Sequence, residues 1–316
     1  MPGLTESGST MLTLTDLQGG SKQRNRDRLM RFLFQGAAIT TIVISLMIVF
    51  VLFRGAFDFL RLIGWDLGKL SDSGWFPRRE RFDLRTILWG SVVMGVVAML
   101  VAVPLGLGVA IFLSEYASPR ARRVIKPVIE VLAGIPSVIV GYFVIRFIAP
   151  EIVGPIFNPT SQFNMLAAGL GIGVLVIPIM ASVSEDALAS VPQSLREASY
   201  GIGARKINTV FRIVVPAAIS GLVAAFIIAV SRAIGETMVA VMAGGFDGAG
   251  QFDGWGPTAK GLTMTSAMTN AVGGSDQDIG GASFEVLYFV GALLFTITLL
   301  LNLVGNRIVN RIREQY

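Results

Sequence analysis

The sequence contains no cysteine and no histidine among its 316 residues. Without cysteine there is no disulfide framework, no thiolate metal site and no thiol nucleophile. Without histidine there is no imidazole ligand and no imidazole proton relay. Charge is also sparse, at 15% of residues, so any ionic chemistry falls to a small set of Arg, Lys, Asp and Glu. A further absence is the phosphate loop: no GxxxxGK[ST] string occurs, and the Gly-rich run Gly244–Gly261 lacks the closing Lys-Ser/Thr. The chain is therefore expected to bind neither ATP nor any cofactor or metal itself, and it offers no catalytic constellation.

What is abundant is apolar. Hydrophobic residues make up 53% of the chain and the mean hydropathy is +0.67, the balance of an all-α polytopic membrane protein rather than of a soluble core. The net charge of +5 does not point to nucleic acid, because the basic residues sit mainly beside apolar runs, where membrane topology accounts for them. Residues 1–31 are polar and then basic, with Lys22, Arg24, Arg26, Arg28 and Arg31. The apolar run that follows is too long, and lacks the small-residue cleavage site, for a removable signal peptide. It is expected to remain as an anchor.

Six runs are long enough to cross a hydrocarbon core of ~30 Å at ~1.5 Å per residue. They are expected at about 32–53, 86–113, 124–149, 163–183, 215–243 and 284–304. The second contains Pro104, Gly106 and Gly108, which predicts a tilt, kink or break. The fourth holds Gly169 and Gly173 at GxxxG spacing, which predicts close packing against a neighbouring helix. A charged loop, Arg54–Arg85, separates the first two spans, and a Gly-rich loop, Gly244–Ala282, precedes the last. Six spans place both termini on one side, together with the basic loop around Arg120–Lys126, the segment 196–212 and the basic tail 307–316. The intervening loops 151–162 and 244–282 carry between them only Lys260 as a cation. Positive-inside therefore makes the termini cytoplasmic, with the Arg-rich first loop dissenting.

One polar segment organises the rest. Glu197–Pro216 lies between two long apolar runs. The residues before it, Ser184–Tyr200, read as a helix with Leu188, Val191, Leu195 and Ala198 on one face. Gly201 and Gly203 permit a sharp reversal, and a second short helix over Ala204–Val214 follows, striped by Ile207, Val210, Phe211 and Val214. Such a pair cannot span a bilayer but makes a docking knob, with Glu197 expected to cap or brace it. The spacing Glu197-Ala198-Ser199, Gly203, Ile213-Val214-Val215-Pro216 resembles the EAA loop of binding-protein-dependent ABC importer permeases. That family's pattern is Glu-Ala-Ala, three residues, Gly, nine residues, Ile-x-Leu-Pro; Ser199 and Val215 are the departures. The resemblance implies a type I permease fold with cytoplasmic coupling helices, and implies that Glu197, Ala198, Gly203, Ile213 and Pro216 couple to an ATPase.

The fifth run carries Ser231-Arg232-Ala233-Ile234-Gly235-Glu236-Thr237. Charges within a membrane helix cost ~3 kcal/mol on insertion scales, so they normally face a bundle interior or an aqueous cavity. Arg232 and Glu236, one turn apart, can pair, and Arg232 falls ~24 Å along a helix starting at Pro216. On residues alone two readings stay open: a structural ion pair, or a charge site on an anion path whose guanidinium fork matches phosphate or sulfate oxygens. The string Arg-Ala-Ile-Gly-Glu-Thr is similar to the corresponding helix of phosphate permeases of the PstC type, which implies that Arg232 and Glu236 line the phosphate path. Glu130 and Arg146 are expected near opposite ends of the third span.

The organisation expected is a tail 1–31, a first helix and outer loop 32–85, a permease core 86–306 with the EAA-like loop at 184–216, and a tail 307–316. The resemblance implies a multi-pass subunit of a prokaryotic cell membrane that works with a homologous PstA-like permease, two cytosolic PstB-like ATPases and an extracytoplasmic PstS-like phosphate-binding protein. Rival readings are a permease for another oxyanion or small solute, and an ATP-independent secondary carrier.

Overall fold

The computed structural model describes residues 21–71, 74–245, 254–272 and 281–313; expectations for the first twenty residues, and for much of the Gly-rich loop and the extreme tail, lie outside them. The chain divides into two units, Met1–Val51 and Leu52–Tyr316. Most of α1 (Ser21–Leu62) belongs to the first. Its side chains from Arg26 to Val51 are almost all exposed, as suits a helix whose solvent is lipid.

In the second unit a two-residue hairpin pairs Trp75 with Phe82 and Phe76 with Arg81. Asp83 then starts α2 (Leu84–Tyr116): its carboxylate accepts from the Arg85 backbone N–H at 3.1 Å and from Thr86 Oγ1 at 3.0 Å, satisfying donors that a helix start leaves orphaned. The helix runs unbroken through Pro104, where a kink or break was one expectation, and ends in a widened turn closed by the Ala117 N–H to the Phe112 carbonyl. Ser118 caps α3 (Pro119–Ala133), which terminates at Gly134; Pro136 opens α4 (Ser137–Phe157). The expected third span, 124–149, is therefore two helices. Glu130 sits on α3 and Arg146 on α4, both exposed, not at two ends of one rod. The apolar residues of α3 lie on one face only, and a window that counts apolar content merges that face with the start of α4.

Asn164, fully buried, caps α5 (Met165–Ala189) through the Ala167 N–H at 2.8 Å. The expected continuous helix 184–200 is broken here: Ser190–Pro192 separates α5 from α6 (Gln193–Gly201). Leu188 and Val191 are buried while Leu195 and Ala198 are exposed. After the Gly203 turn come α7 (Lys206–Ala217) and α8 (Ile219–Ile234), bent at Ala218 by 72°. A short α9 (Met238–Gly244), α10 (Met264–Val272) and α11 (Ala282–Arg313) follow. Among the described residues five helices are long and apolar enough to cross a membrane, α1, α2, α4, α5 and α11; the bent pair α7–α8 makes a sixth span. The fifth run is thus not the straight rod that its hydropathy predicts.

The core is α2 laid against α5. Gly169 and Gly173 let the backbones meet as expected: a Cβ on Gly169 would lie 2.6 Å from that of Val97, and one on Gly173 would lie 3.0 Å from the Ala98 carbonyl. Alanines 225, 229 and 233 of α8 complete the contact.

Candidate functional site

Two polar assemblies sit at opposite ends of α2. The first is the knob α6–α7. Gly203 adopts φ +81°, a conformation that side-chain-bearing residues resist, and its N–H closes the turn onto the Tyr200 carbonyl at 2.9 Å. Ser199 and Thr209 hydroxyls, buried and 2.8 Å apart, tie the two helices together. The apolar stripe expected on α7 splits: Val210 and Val214 are buried, whereas Ile207 and Phe211, with Ile202 at the turn, stay exposed. Replacing Gly203 with Val should therefore leave the chain inserted, since nothing lies within 4 Å of a Cβ there, while distorting the turn. We expect a parental amount of membrane-inserted chain, read by membrane fractionation, with faster proteolytic cleavage in the 199–209 turn.

Glu197 does not brace the pair as expected. It is exposed, and no bond to it is found among the described residues. Its neighbour Arg196 does the bracing. The Arg196 guanidinium, largely buried, donates to Glu115 at 2.7 Å and 3.2 Å, to the Val191 carbonyl at 2.6 Å and to the Leu188 carbonyl at 2.9 Å. Glu115, the last acid of α2, is only 4% exposed at its side chain. A second buried acid, Glu185 on α5, receives both Arg122 and Lys126 from α3, and Lys126 also reaches Asp186 at 3.1 Å. Glu185 chiefly, then Asp186, hold the Lys126 ammonium above its ordinary pKa of 10.5, against an opposing pull from burial. With the pKa raised, the stability contributed by Lys126 and its two acids is fully present below pH 10.5 and is lost as the pH rises through the raised value. Sequence reasoning missed Glu115, Glu185 and Arg196. The available signal was an acid in the last turns of an apolar run followed by a basic loop.

The second assembly is the charge pair. Helix α8 stops at Ile234, and residues 235–237 form a break before α9. Arg232 Nη2 lies 3.3 Å from Glu236 Oε2; Arg232 is half exposed and Glu236 is buried. Glu236 Oε1 also accepts the Met238 N–H at 3.2 Å. Its backbone carbonyl, freed by the break, accepts Thr265 Oγ1 at 2.9 Å. A carboxylate held in this way fixes the guanidinium beside it and leaves the remaining N–H donors for a ligand.

Thr265 comes from an unexpected quarter. The Gly-rich segment, expected to be an outer loop, threads back: the Pro257 and Ala259 carbonyls accept the Leu166 and Met165 N–H groups at 2.7 and 3.0 Å, and Gly261 donates to Gly244 at 3.1 Å. Thr263 and Ser266 cap α10 reciprocally, and the Met264 N–H reaches Ser91 Oγ on α2 at 2.9 Å. Composition alone hid this, because Gly, Thr and Ser serve as readily in a buried crossing as in a loop. An open recess of about 510 Å³ beside Arg122, Arg123 and Lys126 is lined by α2 and α3 and their connection, with no residue of α8.

The profile of the family described as binding-protein-dependent transport system inner membrane component matches residues 102–314. The chain belongs to this family. Within it, the chain is 31% identical over 297 residues to the phosphate transport system permease protein PstC of Mesorhizobium japonicum, covering 88% of each. It is 33% identical to phosphate transport system permease protein PstA 1 of Mycobacterium tuberculosis over 206 residues, covering 65% of this chain and 64% of that one. A chain in the crystal structure of a bacterial alginate ABC transporter in complex with a pentasaccharide-bound periplasmic protein matches with a TM-score of 0.63 at 17% identity, covering 91% of this chain and 97% of that one. The fold is that of the type I ABC permeases. As a member of this family, the chain is a multi-pass transport subunit.

Proposed function

We propose that this chain is the permease subunit of an ATP-driven importer of inorganic phosphate, forming the translocation path by alternating access. The observation that carries the reading is Arg232, half exposed beside the helix break at 235–237 and held by the buried Glu236. A guanidinium so placed presents a fork to a tetrahedral oxyanion without being neutralised by full burial in an ion pair. Similarity over nearly the whole chain to a protein named as a phosphate permease supports the same substrate. The chain binds no cofactor. ATP is hydrolysed by two PstB-like ATPases seated on α6–α7, where Ile202, Ile207 and Phe211 stand exposed and Glu197, Ala198, Gly203, Ile213 and Pro216 shape the contact. Both termini and this knob face the cytoplasm, the side that most of the basic segments favour. A PstA-like permease completes the path and a PstS-like protein delivers phosphate from outside.

The test is uptake of labelled phosphate, with sulfate as competitor, into vesicles carrying this chain and its companions. Uptake that requires ATP and resists excess sulfate is expected. ATP-dependent uptake of a different solute would overturn the substrate, and phosphate uptake without any ATPase would overturn the importer.

A further inference from the structure

The two polar assemblies are joined by a single helix. At one end of α2, Glu115 is gripped by Arg196 of the docking helix α6. The same guanidinium holds the Leu188 carbonyl of α5 and the Val191 carbonyl of the link that follows it, so α2, α5 and α6 share one planar group. Separating this desolvated pair would strand a buried charge, whereas apolar side chains can slide past one another at little cost. Motion of α6 is therefore passed on to α2 rather than absorbed. At the other end, ~30 Å away along twenty residues of helix, a Cβ on Gly95 would rest 3.6 Å from Ile234, the last residue of α8. One turn further on, Ser91 holds the N–H of Met264, beside Thr265, which holds the Glu236 carbonyl. From Asp83 to Ala117 the helix is unbroken.

We propose that Arg196 and Glu115 form the joint through which movement of the docking helix is handed to α2, and that α2 carries it to the Arg232–Glu236 break. Both are positioning residues: neither touches the substrate, and both set where the charge pair stands. This rests on the permease reading above, and the experiment separates the two. The chain has no native cysteine, so Thr269→Cys on α10, which is exposed, accepts a spin label with no competing thiol on this chain. The mobility of that label is measured in the assembled complex, with and without ATP, alongside phosphate taken up per ATP hydrolysed. Three backgrounds are compared: the parent, Glu115→Gln, and the double variant Glu115→Leu with Arg196→Met.

The spectrum of the label in the parent is expected to shift with ATP. Both variants should lose that shift and transport at least tenfold less phosphate per ATP. The double variant, with no charge left unpaired, should match the parent in thermal stability and subunit stoichiometry, so it decides the question even if Glu115→Gln assembles poorly. A parent that does not shift, or a double variant that shifts and transports like the parent, overturns the joint. A parent that shifts with ATP while moving no phosphate overturns the substrate reading and leaves the joint standing.

Discussion

Replacing Arg232 with Gln is expected to lower phosphate uptake at least a hundredfold while the complex still assembles. Glutamine keeps much of the reach and one donor group but loses the charge and the fork. Hydrogen bonds to charged groups contribute about 1.5–3 kcal/mol each, so losing two removes at least ~3 kcal/mol of phosphate binding, and each 1.4 kcal/mol is tenfold. Folding should suffer less. Arg232 is half exposed and its ion-pair partner here is Glu236, which keeps the Met238 N–H. The companion variant Arg232→Gln with Glu236→Gln removes the acid left behind. It should assemble at parental levels and remain inactive. Uptake by either variant within tenfold of the parent would return the pair to a purely structural role.

The second large effect concerns packing. Gly90→Ala is expected to destabilise the folded chain strongly, because a Cβ on Gly90 would overlap the Leu262 carbonyl oxygen. Alanine is intrinsically better than glycine inside a helix by ~1 kcal/mol, so propensity predicts stabilisation. The clash is with backbone rather than with the end of a flexible side chain, and overpacking of this kind costs ~1–3 kcal/mol or more. Pulling the segment away also costs the Met264–Ser91 bond and, behind it, the Thr265 contact to Glu236. Gly108→Ala on the same helix meets nothing within 4 Å and serves as the control. Thermal unfolding in detergent should rank Gly108→Ala at or above the parent and Gly90→Ala well below it. A Gly90→Ala protein as stable as the parent would mean that the segment does not lie against α2.

The long apolar runs were legible because twenty uncharged residues have few alternatives to crossing a bilayer. The Gly203 turn was legible because a Cβ-free residue between two amphipathic stripes announces a reversal. Breaks within apolar runs were not: the gap at 134–136 and the bend at Ala218 change direction without changing polarity. Arg232 and Glu236 stood out because their one-turn spacing implies contact. Glu115 and Arg196 are 81 positions apart, and no local periodicity relates them. Glu197 was singled out over Arg196 because the spacing that marks a docking surface marks what faces outward, while the residue that anchors such a surface faces inward. Thr265 was invisible for a related reason: its partner is a carbonyl freed by a helix break, and that break could not be read from composition.

The seat that α2 offers at Gly90 and Ser91 is made more than 170 residues before its occupant, Leu262–Met264. Synthesis from the N-terminus completes α2 and α5 before that occupant exists, so the Ser91 hydroxyl oxygen and, later, the Glu236 carbonyl await Met264 and Thr265. Completion of the charge site is thus among the last events of synthesis. A nascent chain cannot assemble the Arg232–Glu236 break with its Thr265 contact until nearly all of its other crossings have been made.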